Sequence, residues 1–129
     1  MGQPAAVAGD QVMGTCPLHL IPNPASGVPQ PGPPFPFAAP VTIGTCPSVL
    51  IASTPAVVVG AQGLNTPPHV GLHPADPFMA PPAQQAIVTQ GSTTVLFGGI
   101  PAARMGDPAT CCAQPVGTLV GSQATVLIG

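Results

Sequence analysis

Cysteine and histidine supply most of the side chains in this sequence that are suited to chemistry. The chain of 129 residues contains 4 Cys and 3 His. Six of these seven residues follow, in pairs, three short segments of similar sequence: Cys16 and His19, His69 and His73, and Cys111 and Cys112. Thiolates and imidazoles in a tetrahedral array suit zinc. The residue types therefore predict a metal site, provided that the fold brings the three segments together.

Other interpretations of the cysteines depend on their surroundings. Cys46 stands apart from the pairs, inside a predicted turn and strand, and its position favours a small buried hydrophobic residue. A disulfide among the four cysteines is the rival way to staple the fold, and synthesis in the cytoplasm makes it the weaker interpretation. A vicinal disulfide between Cys111 and Cys112 ranks lower still, because it would be strained.

The three segments are copies of one unit. Residues 4–10 read Pro-Ala-Ala-Val-Ala-Gly-Asp, residues 101–107 read Pro-Ala-Ala-Arg-Met-Gly-Asp, and residues 55–61 are a degraded copy. A turn of glycine and a small residue, followed by a short β-branched run, recurs at residues 44–51, 91–98 and 121–129. This order predicts one all-β domain over residues 1–129, with pseudo-threefold symmetry and little helix.

Composition limits what the protein binds. The chain has 21 Pro and 16 Gly, but only one Lys or Arg and three Asp or Glu. Nucleic-acid binding needs several basic residues, so it is excluded.

The prolines cluster at residues 22–40 and 65–82, which predicts two irregular, extended loops. No signal peptide or apolar span is visible, so we expect synthesis in the cytoplasm and delivery outside the cell by another route.

The few charged residues favour structural roles. Asp10 and Asp107 occupy equivalent Gly-Asp turns and read as turn residues, and Arg104 is expected to pair with Asp107. Asp76 is the only acid outside the repeats. Because the chain has no Glu and no nucleophile motif, we predict that the protein is not an enzyme.

The literal run Pro101-Ala102-Ala103-Arg104, its context over residues 98–107 and the strands at 94–98 and 125–129 resemble the PAAR family. The resemblance implies a conical all-β domain that caps the trimeric, VgrG-like or phage-like spike of a contractile injection system, with one tip per trimer. Such a tip sharpens the spike, helps to pierce the target envelope and contacts the target membrane transiently. The family also implies a bound zinc ion, with iron as the alternative metal.

Carried over residue by residue, the resemblance implies a ligand set. His69 lies in a segment that resembles a family ligand loop, His19 is the ligand of the first loop, and Cys112 or Cys111 is the third ligand. Residues 34–37 read Pro-Phe-Pro-Phe where many relatives have a histidine, so Cys16 or His73 must be the fourth ligand, and Cys16 is favoured. The expected set is therefore His19, His69, Cys112 and Cys16, with His73 and Cys111 as alternates. An adaptor that tethers effector cargo to the spike and, more remotely, a zinc-dependent hydrolase are the other functions considered.

Overall fold

The computed structural model of the protein describes residues 2–17, 19–66, 68–112 and 114–129. The described strands are β1 Gln3–Ala5, β2 Gln11–Cys16, β3 Leu20–Pro22, β4 Pro29–Pro31, β5 Phe35–Ile43, β6 Cys46–Ile51, β7 Thr54–Ala56, β8 Gln62–Leu64, β9 Gln85–Val88, β10 Leu96–Phe97, β11 Ile100–Pro101, β12 Pro108–Cys111, β13 Gln114–Leu119 and β14 Gln123–Ile128. A single 3-10 turn, Pro81–Ala83, is the only helical segment among these residues, so the predicted all-β class is confirmed. None of the described helical residues forms a segment that could cross a membrane.

Six strands close into an antiparallel barrel in the order β12-β13-β2-β5-β8-β9. Side chains alternate along each strand, and the inward positions are filled by apolar residues such as Val12, Phe37, Val41 and Leu119. Phe37 is the largest side chain that is fully buried. Because most inward residues are small, the six backbones approach one another closely around the barrel axis.

The three repeat units, residues 4–10, 55–61 and 101–107, pair with one another in a cycle. Isolated β-bridges join Val7 to Ala56, Val58 to Ala102, and Ala5 to Arg104. Three equivalent hydrogen bonds accompany them, from Ala8 N to Pro55 O (2.8 Å), from Val59 N to Pro101 O (3.0 Å) and from Met105 N to Pro4 O (2.8 Å). We call this closed arrangement the repeat ring. It confirms the predicted pseudo-threefold symmetry and shows that the degraded middle copy is a full member.

Each repeat unit ends in the same turn. Gly9, Gly60 and Gly106 have φ values of 94°, 90° and 90°, a conformation that favours glycine. In two of the turns an aspartate accepts a backbone hydrogen bond: Asp10 from Val7 N, and Asp107 from Arg104 N. Both acids are therefore turn residues, as predicted.

Three two-stranded sheets, β6–β7, β10–β11 and β14–β1, lie against the repeat ring, and we call them the base hairpins. The first two are closed by residue pairs with positive φ, Ala52-Ser53 and Gly98-Gly99, which is the signature of a type I′ turn. The third has no such turn, because it pairs two strands that are far apart in sequence, with Gln3 opposite Ile128.

Polar side chains hold the end of β14 in place. Arg104 donates from Nη2 to Asp107 Oδ1 (2.9 Å) and from Nη1 to Gly129 O (3.1 Å), and Ser92 Oγ also donates to Gly129 O. The predicted pairing of Arg104 with Asp107 is thus confirmed. The same arginine also ties the third repeat unit to the end of β14.

The connections at the other end of the barrel have very different lengths. They span residues 17–34 and 65–84, whereas β12 and β13 are separated by residues 112–113 alone.

The prediction that residues 22–40 form one irregular loop is wrong, because β5 begins at Phe35 and the preceding residues include the β3–β4 hairpin. Proline is tolerated in strands where its nitrogen need not donate to a neighbour. The density of prolines therefore overestimated the length of the irregular loop.

Gly63 provides a test of the packing between β5 and β8. A Cβ atom at this position would collide with the carbonyl oxygen of Pro40 and lie 2.8 Å from its carbonyl carbon. We expect Gly63→Ala to lower the free energy of unfolding by about 3 kcal/mol, measured by denaturant unfolding. Gly71→Ala is the control, because Gly71 has open space around it and a φ of 79°. The control should cost about 1 kcal/mol, and equal losses for the two variants would contradict the predicted close approach.

Candidate metal centre

Four side chains from three separate segments meet at the end of the barrel opposite the base hairpins. They belong to Cys16, His19, His69 and Cys112, and one potential ligand atom from each lies within 4.8 Å of the others. All four residues are buried. The structure therefore brings together the four residues expected from the sequence, with Cys16 in the position that the resemblance left open.

The strands explain where the two thiols point. Cys16 is the last residue of β2 and continues the inward positions of that strand, so its side chain faces the barrel end. Cys111 is the last residue of β12 and is fully buried in the barrel core. Cys112 follows with a φ of 50°, which turns the chain towards β13 and brings its thiol to the cluster. The backbone turn thus separates two adjacent cysteines into different environments.

His19 is oriented by a buried carboxylate. Its Nδ1 lies 3.0 Å from Asp76 Oδ2, and both side chains are almost completely buried. Burial opposes ionisation of Asp76, but hydrogen bonds from the backbone N–H groups of Leu20 and Phe78 and from His19 outweigh it and lower the pKa of the carboxyl. The ionised carboxylate accepts a hydrogen bond from the Nδ1–H group of His19, and in this tautomer the lone pair of the neutral ring is on Nε2.

His69 is held by a network of amides. Its backbone N donates to Gln84 Oε1 (2.7 Å), and Gln84 Nε2 donates to Phe78 O (2.9 Å). Asn65 Nδ2 donates to the same Gln84 oxygen and lies 3.3 Å from His69 Nδ1. Asn65 is itself fixed by the backbone N–H of Ala38, which donates to its Oδ1 (3.0 Å). Loop residues far apart in sequence thus position this ring.

The remaining nitrogen of each imidazole has the property expected of a metal ligand. Nε2 of His19 and Nε2 of His69 are buried, and neither has a hydrogen-bond partner among the described residues. A buried polar atom without a partner costs free energy of folding, and a metal ion bound to these two nitrogens would remove that cost. With two thiols beside them, the donor set fits a bound metal ion.

The two thiols of the cluster do not ionise independently. A hydrogen bond from the Cys112 thiol is the main cause that lowers the pKa of Cys16, burial acts against it, and His69 and His19 lower the pKa further. The same hydrogen bond, together with burial, raises the pKa of Cys112. One thiolate is therefore readily formed in the cluster, and binding of a metal would displace the second proton.

The donor atoms of the cluster are buried, although a cavity of ≈ 320 Å³ borders His69 on the side of Phe37 and Val70. Phe35 and Phe78 pack edge-on against the His19 ring, with ring centroids 5.5 and 5.8 Å away. A second cavity, lined by residues that include Gln114, has a volume of ≈ 10 Å³, about the room of one water molecule. Four buried Cys and His donors are the ligand set typical of a structural metal site.

The other candidate ligands have different roles. His73 Nδ1 accepts a hydrogen bond from Ala75 N, and its Nε2 donates to Gly27 O, so it links the two proline-rich connections. Burial raises the pKa of Cys111 to about 12 and keeps it a core thiol. Cys46 is buried with its Sγ 3.2 Å from Ser48 Oγ, in agreement with the expected structural role. None of the three lies in the cluster.

Sequence reasoning did not find the residues that support the cluster. The sequence identified Asp76 only as the acid outside the repeats, and no role was predicted for Asn65 or Gln84. The scarcity of charge was a usable signal for Asp76, because a lone acid in an apolar, proline-rich segment needs a partner. Nothing in the sequence distinguishes Asn65 or Gln84 from other loop amides.

Removal of the Asp76 carboxylate should weaken metal binding without abolishing it. We expect Asp76→Ala to lower the metal affinity about 10- to 100-fold, because His19 loses the acceptor that fixes its tautomer. Competition with a chromogenic chelator measures this change. Asp10→Ala is the matched control, since it removes an acid from a turn in the repeat ring, and its affinity should equal that of the parent protein.

The adjacent cysteines allow a sharper test. Cys112→Ala should reduce bound metal to well below one ion per chain, whereas Cys111→Ala should retain full stoichiometry, because only Cys112 faces the cluster. Elemental analysis with protein quantification gives both values. Cys111→Ala should still cost about 1–2 kcal/mol of unfolding free energy through the lost packing. Full metal content in Cys112→Ala would remove this residue from the site.

A comparison with known families agrees with the geometry. The sequence model of the PAAR motif family matches residues 80–129, which include the third repeat unit, Cys112 and β14. No curated protein matches the chain. The first two repeat units lie outside the matched residues, but they share the hydrogen-bond pattern of the third. This family consists of structural spike tips of secretion and contractile systems and is not a known enzyme family. Residues 80–129 therefore match the PAAR motif, and this match supports the interpretation of the chain as a PAAR-repeat domain protein.

Proposed function

We propose that this protein is a metal-stapled conical tip that caps and sharpens the trimeric, VgrG-like spike of a contractile injection system. The observation that carries the proposal is the repeat ring, in which three units of a single chain bond to one another around a pseudo-threefold axis. A single chain with internal threefold symmetry can meet each subunit of a homotrimer with an equivalent surface. The expected stoichiometry is one chain per spike trimer.

The proposed metal is zinc. Two thiolates and two neutral imidazoles bind zinc in a tetrahedral arrangement, and the two negative charges balance the charge of the ion. A net neutral centre suits a buried cluster surrounded by phenylalanine rings. Three of the ligands come from the three connections at this end of the barrel, and Cys16 ends β2, so one ion would crosslink all three connections.

The crosslink has a mechanical use in this proposal. Connections of such unequal length share little apolar core, and a metal that joins them restricts their motion and adds its binding energy to folding. Contraction would drive the metal end of the barrel against the target envelope, with transient contact with the membrane. The base hairpins at the opposite end would rest on the spike, after assembly of the two in the cytoplasm.

Binding to the spike trimer of the source organism tests the proposal. Native mass spectrometry of the mixture should show one tip chain and one zinc ion for each trimer. Spike trimers purified without the tip protein serve as the reference. The absence of a complex at micromolar concentrations, or a complex with three chains per trimer, would contradict the proposed function.

A further inference from the structure

One leucine occupies the same place in each base hairpin. Leu50 lies opposite Pro55, Leu96 opposite Pro101, and Leu127 opposite Pro4, so each leucine faces the first residue of a repeat unit. Their side chains are 59%, 57% and 60% exposed. Nearly equal exposure at equivalent positions shows that the symmetry of the repeat ring extends to its outer surface.

The leucines lie on the outward face of the hairpins. The next residues along the strands, Ile51, Phe97 and Ile128, pack into the apolar cluster beneath the repeat ring. Since successive side chains in a strand point to opposite faces, the leucines point away from that cluster. They therefore contribute little to the packing of the isolated chain.

Exposed leucine is present in all three copies, within the shared runs at residues 49–51, 95–97 and 126–128. The fifth position of the repeat unit, in contrast, is not preserved. The equivalent positions Ala8, Val59 and Met105 of the repeat units carry three different residues. Packing inside the chain does not require leucine at a position that is more than half exposed. A requirement outside the chain accounts for its presence in every copy.

The same strands offer backbone groups for pairing. Strands β6, β10 and β14 each pair with one neighbour in a two-stranded sheet, and among the described residues no strand pairs with their outer edges. Open edges are ready to accept an added strand. No residue of the base hairpins is charged, so these strands themselves offer apolar and backbone contacts and no ion pair.

We propose that Leu50, Leu96 and Leu127 form a ring of three equivalent apolar anchors, which we call the leucine ring. Each subunit of a homotrimeric partner adds a strand along one open edge and places an apolar side chain beside one leucine. Cross-strand apolar pairs of this kind stabilise sheets. This inference rests on the proposed function and names the surface that recognises the trimer.

Threefold equivalence distinguishes this partner from others. A monomeric cargo protein that lacks the symmetry would cover one leucine and leave two exposed. A trimer covers all three with one kind of contact, which matches their equal exposure. The three anchors should therefore contribute equally to binding.

Serine substitutions test the leucine ring with the source organism's spike trimer as the probe. Each of Leu50→Ser, Leu96→Ser and Leu127→Ser should raise the Kd about tenfold, and the triple variant should raise it about a thousandfold, measured by titration calorimetry. The matched control replaces three exposed apolar residues of the connections at the metal end: Val28→Ser, Val70→Ser and Met79→Ser. The control should bind as the parent protein does. Metal content and thermal unfolding establish that each variant is folded.

The outcomes separate this inference from the proposed function. If the parent protein binds one trimer and the folded triple variant binds equally tightly, the leucine ring is wrong and the spike tip stands. Strongly unequal effects of the three single substitutions would also overturn it, in favour of an asymmetric contact. If the parent protein itself does not bind the trimer, the proposed function fails and the inference fails with it.

Discussion

The cyclic hydrogen bonding of the three repeat units is the interaction on which the rest of the structure depends. The chain has few aromatic residues and almost no charge, so it lacks the usual means of joining distant segments. Backbone groups take this role instead, and they can do so because alanine allows three chain segments to approach one axis. Ala5, Ala56 and Ala102 are completely buried at equivalent positions. From the repeat ring, the barrel strands extend in one direction, and the base hairpins lie against it on the other side.

The two ends of the molecule are stabilised in different ways. At the ring end, repeated backbone bonds and a small apolar cluster suffice. At the opposite end, symmetry is lost because the connections differ in length, and polar chemistry replaces it. Asp76 and Gln84 each bridge residues that are distant in sequence, and each supports one histidine of the cluster. The candidate metal centre therefore depends on side-chain contacts that, among the described residues, are not repeated in three copies.

The repeated features were predictable from the sequence, whereas the features that occur once were not. Three copies of one unit and of one turn–strand element indicated an all-β fold with threefold character. They also gave a geometric reason for the three pairs of Cys and His residues to converge, and the resemblance to the PAAR family favoured Cys16, His19, His69 and Cys112 among them. The position of β5 was missed, because prolines at strand positions resemble those of a loop. The support from Asp76 and Gln84 was missed because it depends on long-range loop contacts that leave no periodic signal. Which of two adjacent cysteines faces the cluster was decided by the φ of Cys112.

The pairing of β1 with β14 ties the order of folding to the order of synthesis. Gln3 pairs with Ile128, and the first repeat unit bonds to the third, so the first unit can complete its contacts only after the third has been synthesised. Contacts between residues so far apart in sequence are slow to form, because the loop between them must first lose its freedom. The middle of the chain can pair as it emerges from the ribosome, whereas the ring closes only after the third repeat unit has emerged. Until then, the edges of the first strands remain open to neighbouring chains, which makes the nascent protein a natural client for chaperones.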